Sequence, residues 1–484
     1  MTAAQKQFTL VIDQGTSSTK VFLFNLSNRV VFKARTKHSL TKPRIGHVEA
    51  DASEIAEACE SLIQTACRRA AELNGIIISA GMALQRSTFI FWDKQTLKPL
   101  TPALSWQDGR ATDIVDELSQ EADFIFHKTG APLNAHFGGP KFAHMVRQHT
   151  NLAEYIKRDT VFYGTISAYL VHYLTGHPSV DESIASRFTL MDLDLATWDD
   201  DLLALFNVPK QVLPELVPSV HHFGLIKSGN CEFPLRVVIG DQQTALLGQG
   251  GYKQNSIAMN FGTSGSIQIN AGETPAHVNG LISSVLYSDD KKRYYLLEGT
   301  INACNSIFYH LEDELNIPHD KMLWHDRCAK TETNGVYIPT GGLAAPYWAD
   351  NYDPISTGYE SDSPNEIIRA AMESIGFLTY DIFKLAMSHL VNLPTQIFAS
   401  GGGGRAPLLQ FISNLTGISV IHGAMKDRTA LGVHALLIKD YTGEWPELDL
   451  KGEHHFSPNM AEPIKTDKLK KWHNALQEAG ITKS

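Results

Sequence analysis

Two stretches about half a chain apart follow one plan. Residues 10–25 read LVIDQGTSSTKVFLFN, and residues 256–270 read SIAMNFGTSGSIQIN. Each is an apolar strand, a Gly-Thr turn rich in small hydroxyl residues, and a second strand. Gly15 and Gly262 lie 262 − 15 = 247 positions apart in a chain of 484 residues. A repeat at half the chain length predicts two related domains facing each other, 1–246 and 247–484.

The flanking segments predict an α/β chain. FTLVID, KVFLFN and RVVFKA read as a meander of three antiparallel strands. A helix comes next, capped by Asp51 with Glu54 three residues on, and with Ile55, Ala58, Leu62, Ile63 and Ala66 at helical spacing. GIIISAGMAL and STFIFWD then read as strands. In the second half, Ser363-Pro364-Asn365-Glu366 opens a long helix. The strand QIFAS, a run of four glycines, the helical pattern PLLQFISNLTG and the strand ISVIHG come after it.

One Gly-Thr turn alone needs no function, because glycine permits positive φ and Ser or Thr bond to their own backbone. Two opposed copies have a further use. Successive backbone N–H groups in a tight turn make an anion nest, so the pair could hold a polyphosphate between the domains. Asp13, at the end of the first strand, would repel such a ligand unless a cation stood between them. Mg²⁺ takes one or two carboxylates and keeps several waters, so Asp13 is its candidate ligand. Lys20 could meet a phosphate oxygen or simply be a solvated strand-end lysine.

In SGGGGRAPLLQ, Gly401, Gly403 and Ala406 fit a dinucleotide fingerprint between strand and helix. That would make the chain an NAD-dependent dehydrogenase. The next strand, however, ends in His422-Gly423, where an acid should bind the ribose. The run reads better as bare backbone on which an adenosine can lie. No GxxxxGK[ST] occurs.

VVIGDQQTALLGQG, residues 237–250, places Asp241 where a strand gives way to a helix. It is either a helix cap or the general base of a phosphoryl transfer to an alcohol. Three further segments offer contacts to a polyhydroxylated ligand: Gln85, Arg86 and Ser87; Trp106 and Asp108; His136 and Phe137. Singly, each has a structural reading, Trp106 as core and Arg86 as an ion pair.

At these residues the chain resembles the FGGY family of carbohydrate kinases, on the actin-like ATPase fold. DQGTSSTK, MNFGTSG, GDQQTALLGQG and SGGGGRAPLLQFISNLTG are similar to the family's phosphate, catalytic and adenosine motifs, in the family's order. LTGHPSVDESIASRFTLMD and LLEGTINACNSIFYHLED also match family segments. The resemblance implies two RNase-H-like domains closing over an interdomain cleft. It implies Asp241 as base and Asp13 near Mg²⁺. It places Thr16, Ser17, Lys20, Gly262, Thr263, Gly299, Gly402 and Gly403 near ATP, and Gln85, Arg86, Trp106, Asp108, His136, Asp241 and Gln242 around the acceptor. Glycerol kinases of the family carry an acid directly after the arginine and a tyrosine at the position of His136. Here Ser87 and His136 stand there, and Trp106-Gln107-Asp108-Gly109-Arg110 is closer to the xylulokinase side. The expected acceptor is therefore a small sugar, ketose or sugar alcohol rather than glycerol, with a kinase acting on glycerol despite Ser87 as the alternative.

Composition narrows the alternatives. The net charge is 42 − 52 = −10, which argues against a general nucleic-acid or acidic-membrane binder. No run of about 18 apolar residues predicts a membrane span, and the start shows no signal peptide. Five cysteines without a CxxC pair read as reduced thiols of a cytoplasmic protein. Histidine pairs at 221 and 454 lack a metal-site setting. A homodimer is the ordinary expectation for an enzyme, with no interface legible. A non-catalytic nucleotide-binding protein of the actin-like class is the other rival, in which Asp241 would be a helix cap.

Overall fold

The computed structural model describes residues 5–481 except 340–341, 350–351, 353–354, 361–362, 391, 393, 424–426, 449 and 451–453. The chain opens with the antiparallel strands β1 (Lys6–Gln14), β2 (Ser18–Asn25) and β3 (Val30–Lys37), then helix α1 (Ala52–Glu72) and strand β4 (Gly75–Leu84). Asp51 caps α1 by accepting from the amides of Ser53 and Glu54. β4 lies parallel to β1. The edge strand β5 (Leu225–Ser228) and then β6 (Cys231–Gly240) complete a six-stranded sheet in the order β5-β6-β4-β1-β2-β3.

The second half repeats this topology. β7 (Ile257–Phe261), β8 (Gly265–Gly272), β9 (Ile282–Ser288), β10 (Arg293–Ile301), β11 (Gln396–Ser400), β12 (Ser419–His422) and β13 (His454–Phe456) form a sheet in the order β9-β10-β8-β7-β11-β12-β13. The central five strands, β12-β11-β7-β8-β10, match β6-β4-β1-β2-β3 in both order and direction. The α/β expectation of two like sheets therefore holds.

Between β4 and β5 the first half carries a large insertion, three strands of which join two short strands preceding α1 (Leu40–Thr41 and Glu49–Ala50) in a separate five-stranded sheet. STFIFWD is a strand of that sheet (Phe89–Asp93) and not of the first one. The insertion also supplies helices α2 (Gly138–Gln148) and α3 (Glu182–Ala185).

The first sheet is covered on both faces, which explains its continuous apolar strands. Leu10, Ile12, Val21 and Leu23 pack with Ile55, Leu62 and Ile63 of α1. On the other face, Val11, Phe22, Phe24 and Ile239 pack with Leu246 and Leu247 of α4 (Asp241–Leu247) and with Val433, Leu436 and Leu437 further on. The second-half helices are α5 (Pro364–Met387), α6 (Ala406–Thr416) and α7 (Arg428–Thr442). Helix α7 therefore comes from the second half yet roofs the first sheet. α4 and α7 cross with their backbones in contact. A Cβ on Gly432 would strike the carbonyl of Thr244, and one on Gly248 that of Arg428.

Candidate active site

Parallel pairing aligns the carboxyl ends of three strands. Gln14 of β1 is opposite Leu84 of β4, and Leu84 is opposite Gly240 of β6. The segments leaving these strands therefore emerge on one rim: the first Gly-Thr turn, the Gln85–Arg86 segment and Asp241. In the second sheet Asn260 of β7 is opposite Ser400 of β11. The second Gly-Thr turn and the glycine run thus emerge together as well. Ligands of open α/β sheets bind at such carboxyl ends.

The two rims face each other across a cleft of about 410 Å³ lined by Thr16, Gln85, Arg86, Ser87, Trp106, His136, Arg187, Asp241, Gln242, Ser264 and Glu298 among others. Asp241 is the first residue of α4, with Gly240 as the cap. It is not a helix cap, although its Oδ1 accepts from the adjacent Gln242 amide at 2.7 Å. Burial raises its pKa to about 6, against the opposing charge of Arg86 and with help from Asp13. A half-buried carboxyl tuned toward neutrality is suited to general-base work.

Arg86 approaches Asp241 at 3.9 Å through its Nε but is committed elsewhere. Its two terminal nitrogens donate to both oxygens of Glu298, at 2.7 and 2.9 Å. Arg187 donates to the same carboxylate at 2.6 Å. Burial pushes Glu298 up, but Arg86 and Arg187 more than reverse this and hold it at about 2. Glu298 comes from β10 of the second half, and both arginines from the first. The sequence reading missed Glu298 and Arg187. The available signal was one acid inside the apolar run RYYLLEGTI, in a position alternating with Gly299.

The other expected residues fall in different places. Gln85 is buried, bonded to Gln14 and Thr88. The Trp106 indole donates to Thr16 at 2.9 Å, tying its segment to the first turn. His136 lines the cleft with its Nδ1 buried and unpartnered among the described residues. Its pKa is lowered by burial and then by Lys141, so the ring is neutral. Gln242 accepts long bonds from Ser266 and Gln268. Asp108 is not in the cleft wall. It is fully buried, accepts from the Val48 amide at 2.6 Å, and is gripped by Arg110, which also reaches Glu49. Its carboxylate has no capacity left for a ligand.

The first Gly-Thr turn is closed by Gly15 N–H to Ser18 at 3.0 Å and the second by Gly262 N–H to Ser264 at 2.9 Å. Ser17 is exposed at the first turn. Lys20, cross-strand from Asp13, donates to it at 2.9 Å. The Gly403 amide bonds the Phe261 carbonyl at 2.8 Å, which seats the glycine run against the turn carrying Gly262 and Thr263. A Cβ on Gly402 would meet open space. Gly299 faces away: a Cβ there would collide with Ile382 of α5. Its lack of a side chain serves strand–helix packing. Among the described residues, no group of three or more His, Cys, Asp or Glu is placed to hold a metal, and no helix is long and apolar enough to cross a membrane.

Two sheets of like topology, each presenting a Gly-Thr turn to one cleft with a half-buried carboxyl at its floor, define a phosphotransferase of the actin-like ATPase fold. Comparison with known proteins gives the family. The N-terminal domain of the FGGY family of carbohydrate kinases matches residues 8–248 and its C-terminal domain matches 257–438. The chain belongs to the FGGY family of carbohydrate kinases, phosphotransferases with an alcohol group as acceptor. It is 31% identical over 484 residues to a glycerol kinase of Thermococcus onnurineus, with 98% of each chain covered. A structure of Plasmodium falciparum glycerol kinase with ADP superposes with a TM-score of 0.91 at 28% identity, covering 99% of both chains. A ligand-bound xylulose kinase of Lactobacillus acidophilus shares the fold, with a TM-score of 0.83 at 21% identity and coverage of 98% and 99%.

Proposed function

We propose that this chain is an ATP-dependent kinase that phosphorylates a hydroxyl of a small sugar, ketose or sugar alcohol, with Asp241 as general base. The observation that carries this reading is the position of Asp241. It is at the cleft floor, half-buried, beside Arg86, on the rim shared with the first Gly-Thr turn. There it can accept the proton of an acceptor hydroxyl whose oxygen attacks the terminal phosphate. Arg86, Trp106, His136, Gln242 and the edge of Gln85 would orient the acceptor. Thr16, Ser17 and Lys20 on one turn, and Gly262 and Thr263 on the other, would flank the phosphates, with Gly402 and Gly403 beneath the adenosine.

A single carboxylate beside phosphate oxygens is a donor set Mg²⁺ accepts, and Asp13 supplies one at the end of β1. Lys20 would then leave Asp13 for the phosphates. Bound Mg²⁺ supplies charge neutralisation on the transferring group.

Ser87 and His136 favour an acceptor other than glycerol, since the acid and tyrosine of glycerol kinases are absent. Glycerol itself is the second reading, favoured by the relatives of about 30% identity that carry that name. ADP release with Mg·ATP decides between them across glycerol, erythritol, xylitol, D- and L-ribulose, D- and L-xylulose and gluconate, with Asp241→Asn alongside. One strong acceptor lost in the variant supports the assignment. A sugar-independent ATPase undiminished in the variant defeats it.

A further inference from the structure

The acceptor wall is built from three segments far apart in sequence: residues 85–87 after β4, residues 104–106, and residues 136–141 leading into α2. Lys141 lies where they meet. Its side chain is fully buried. Its ammonium donates to the carbonyl oxygens of Ser105 at 2.6 Å, Ser87 at 2.9 Å and Leu104 at 3.5 Å. Among the described residues no carboxylate stands within ion-pair distance of it.

Burying an unpaired ammonium is costly, and an apolar residue of the same length would pack here without that cost. What the lysine adds is three directional donors, one for each of three carbonyls. Those carbonyls belong to the neighbours of Arg86 and Trp106. Ser87 also has φ at +58°, a left-handed backbone that a non-glycine residue adopts at a cost. A bond to its carbonyl holds that conformation in place.

We propose that Lys141 is a positioning residue for the acceptor: it clamps the 85–87 and 104–106 segments to α2, so that Arg86, Trp106 and His136 keep a fixed spacing around the cleft. The clamp rests on the proposed acceptor site only for its catalytic consequence; the tethering of the segments stands apart from it. Burial brings the lysine pKa down to about 7, opposed by Asp108 and assisted by Arg110. The clamp therefore loses a donor on the alkaline side. Asp108, Arg110 and His136 are the titratable groups around it. The first two keep their charge from pH 6 to 9, and burial and Lys141 lower the proton affinity of His136.

The test is hydrogen exchange on the full chain, native against Lys141→Met, which keeps the length and removes the donors. Exchange of the amides in 85–89 and 104–108 should rise by roughly tenfold or more, as the loss of charged hydrogen bonds implies. Exchange in 257–272 should not change. With the best acceptor from the panel, its KM should rise by a similar factor while Mg·ATP affinity by calorimetry stays within about twofold. Unchanged exchange in 85–89 and 104–108, or an equal rise everywhere, overturns the clamp. Should Lys141→Met not fold, Lys141→Gln, which removes the ammonium, decides in the same way: both segments must lose protection relative to 257–272, and equal behaviour overturns the clamp. If the native chain phosphorylates no acceptor, the proposed function fails and the exchange result still judges the clamp.

Discussion

Asp241 owes its high proton affinity to burial at the cleft floor, because Arg86, its nearest cation, is spent on Glu298. This fixes the sign of the pH effect. The proposed base would work deprotonated, so kcat/KM should fall as pH drops through about 6 and level off above it, measured as a pH–rate profile. Asp241→Asn should cut kcat by roughly a hundredfold or more while leaving Mg·ATP binding in place. Glu298 makes a separate prediction. Its removal leaves two buried guanidinium groups without their shared carboxylate. Glu298→Ala should therefore destabilise the chain by about 3–5 kcal/mol in denaturant unfolding; a loss below about 1 kcal/mol would show the triad to be solvated. These residues differed in legibility. Asp241 and Arg86 come directly after strand ends marked by apolar runs, so the sequence located them on a rim. Glu298 sits mid-strand, where nothing local says which face it takes. Asp108 and Gly299 were placed by motif proximity, and side-chain direction moved both away: Asp108 turns inward to Val48 and Arg110, and Gly299 turns to α5.

At the scale of elements, two glycines without side chains do opposite things. Gly432 lets α7 touch α4, backbone to backbone, whereas Gly402 leaves open space over the end of β11. Gly432→Ala must push the helices apart. It should cost about 1–3 kcal/mol of stability, as overpacking does, and weaken activity only through that loss. Gly402→Ala has room for its methyl, so thermal unfolding should stay put while the KM for ATP rises. Equal stability losses in the two variants would contradict the crossing. The repeated Gly-Thr hairpins were legible because turn chemistry and alternating strands are local signals. The placement of α7 was not. Its apolar face reads the same whichever sheet it covers, and only the tertiary path carries a helix of the second half onto the first sheet.

That path makes the whole molecule depend on one buried histidine. His434 of α7 is fully buried and stacks on Phe24 at 4.4 Å. The Asn28 side-chain nitrogen donates to the Glu447 carbonyl, so its oxygen faces His434 Nε2 at 3.0 Å. Nε2 therefore carries the proton, and Nδ1 accepts from the Thr9 hydroxyl at 2.8 Å. The site fits the neutral ring alone. Burial lowers its pKa from 6.5 to about 3. Because the folded value is the lower one, the unfolded chain binds the extra proton between these limits. The stability contributed is complete above pH 6.5 and is lost as pH falls toward 3, at up to about 1.4 kcal/mol per pH unit. His136 and His172 are lowered too and add slope of the same sign. The informative quantity is thus the difference between native protein and His434→Gln. Over pH 6.5 to 5, above the range where Glu298 and Asp108 protonate, the native unfolding free energy should fall more steeply by most of one proton. The loss should reach both halves in one transition, because α7 and α4 join the two sheets through a shared core. Parallel slopes in native and variant would place the proton elsewhere. Two separate transitions would show that the halves fold independently, despite the helix they share.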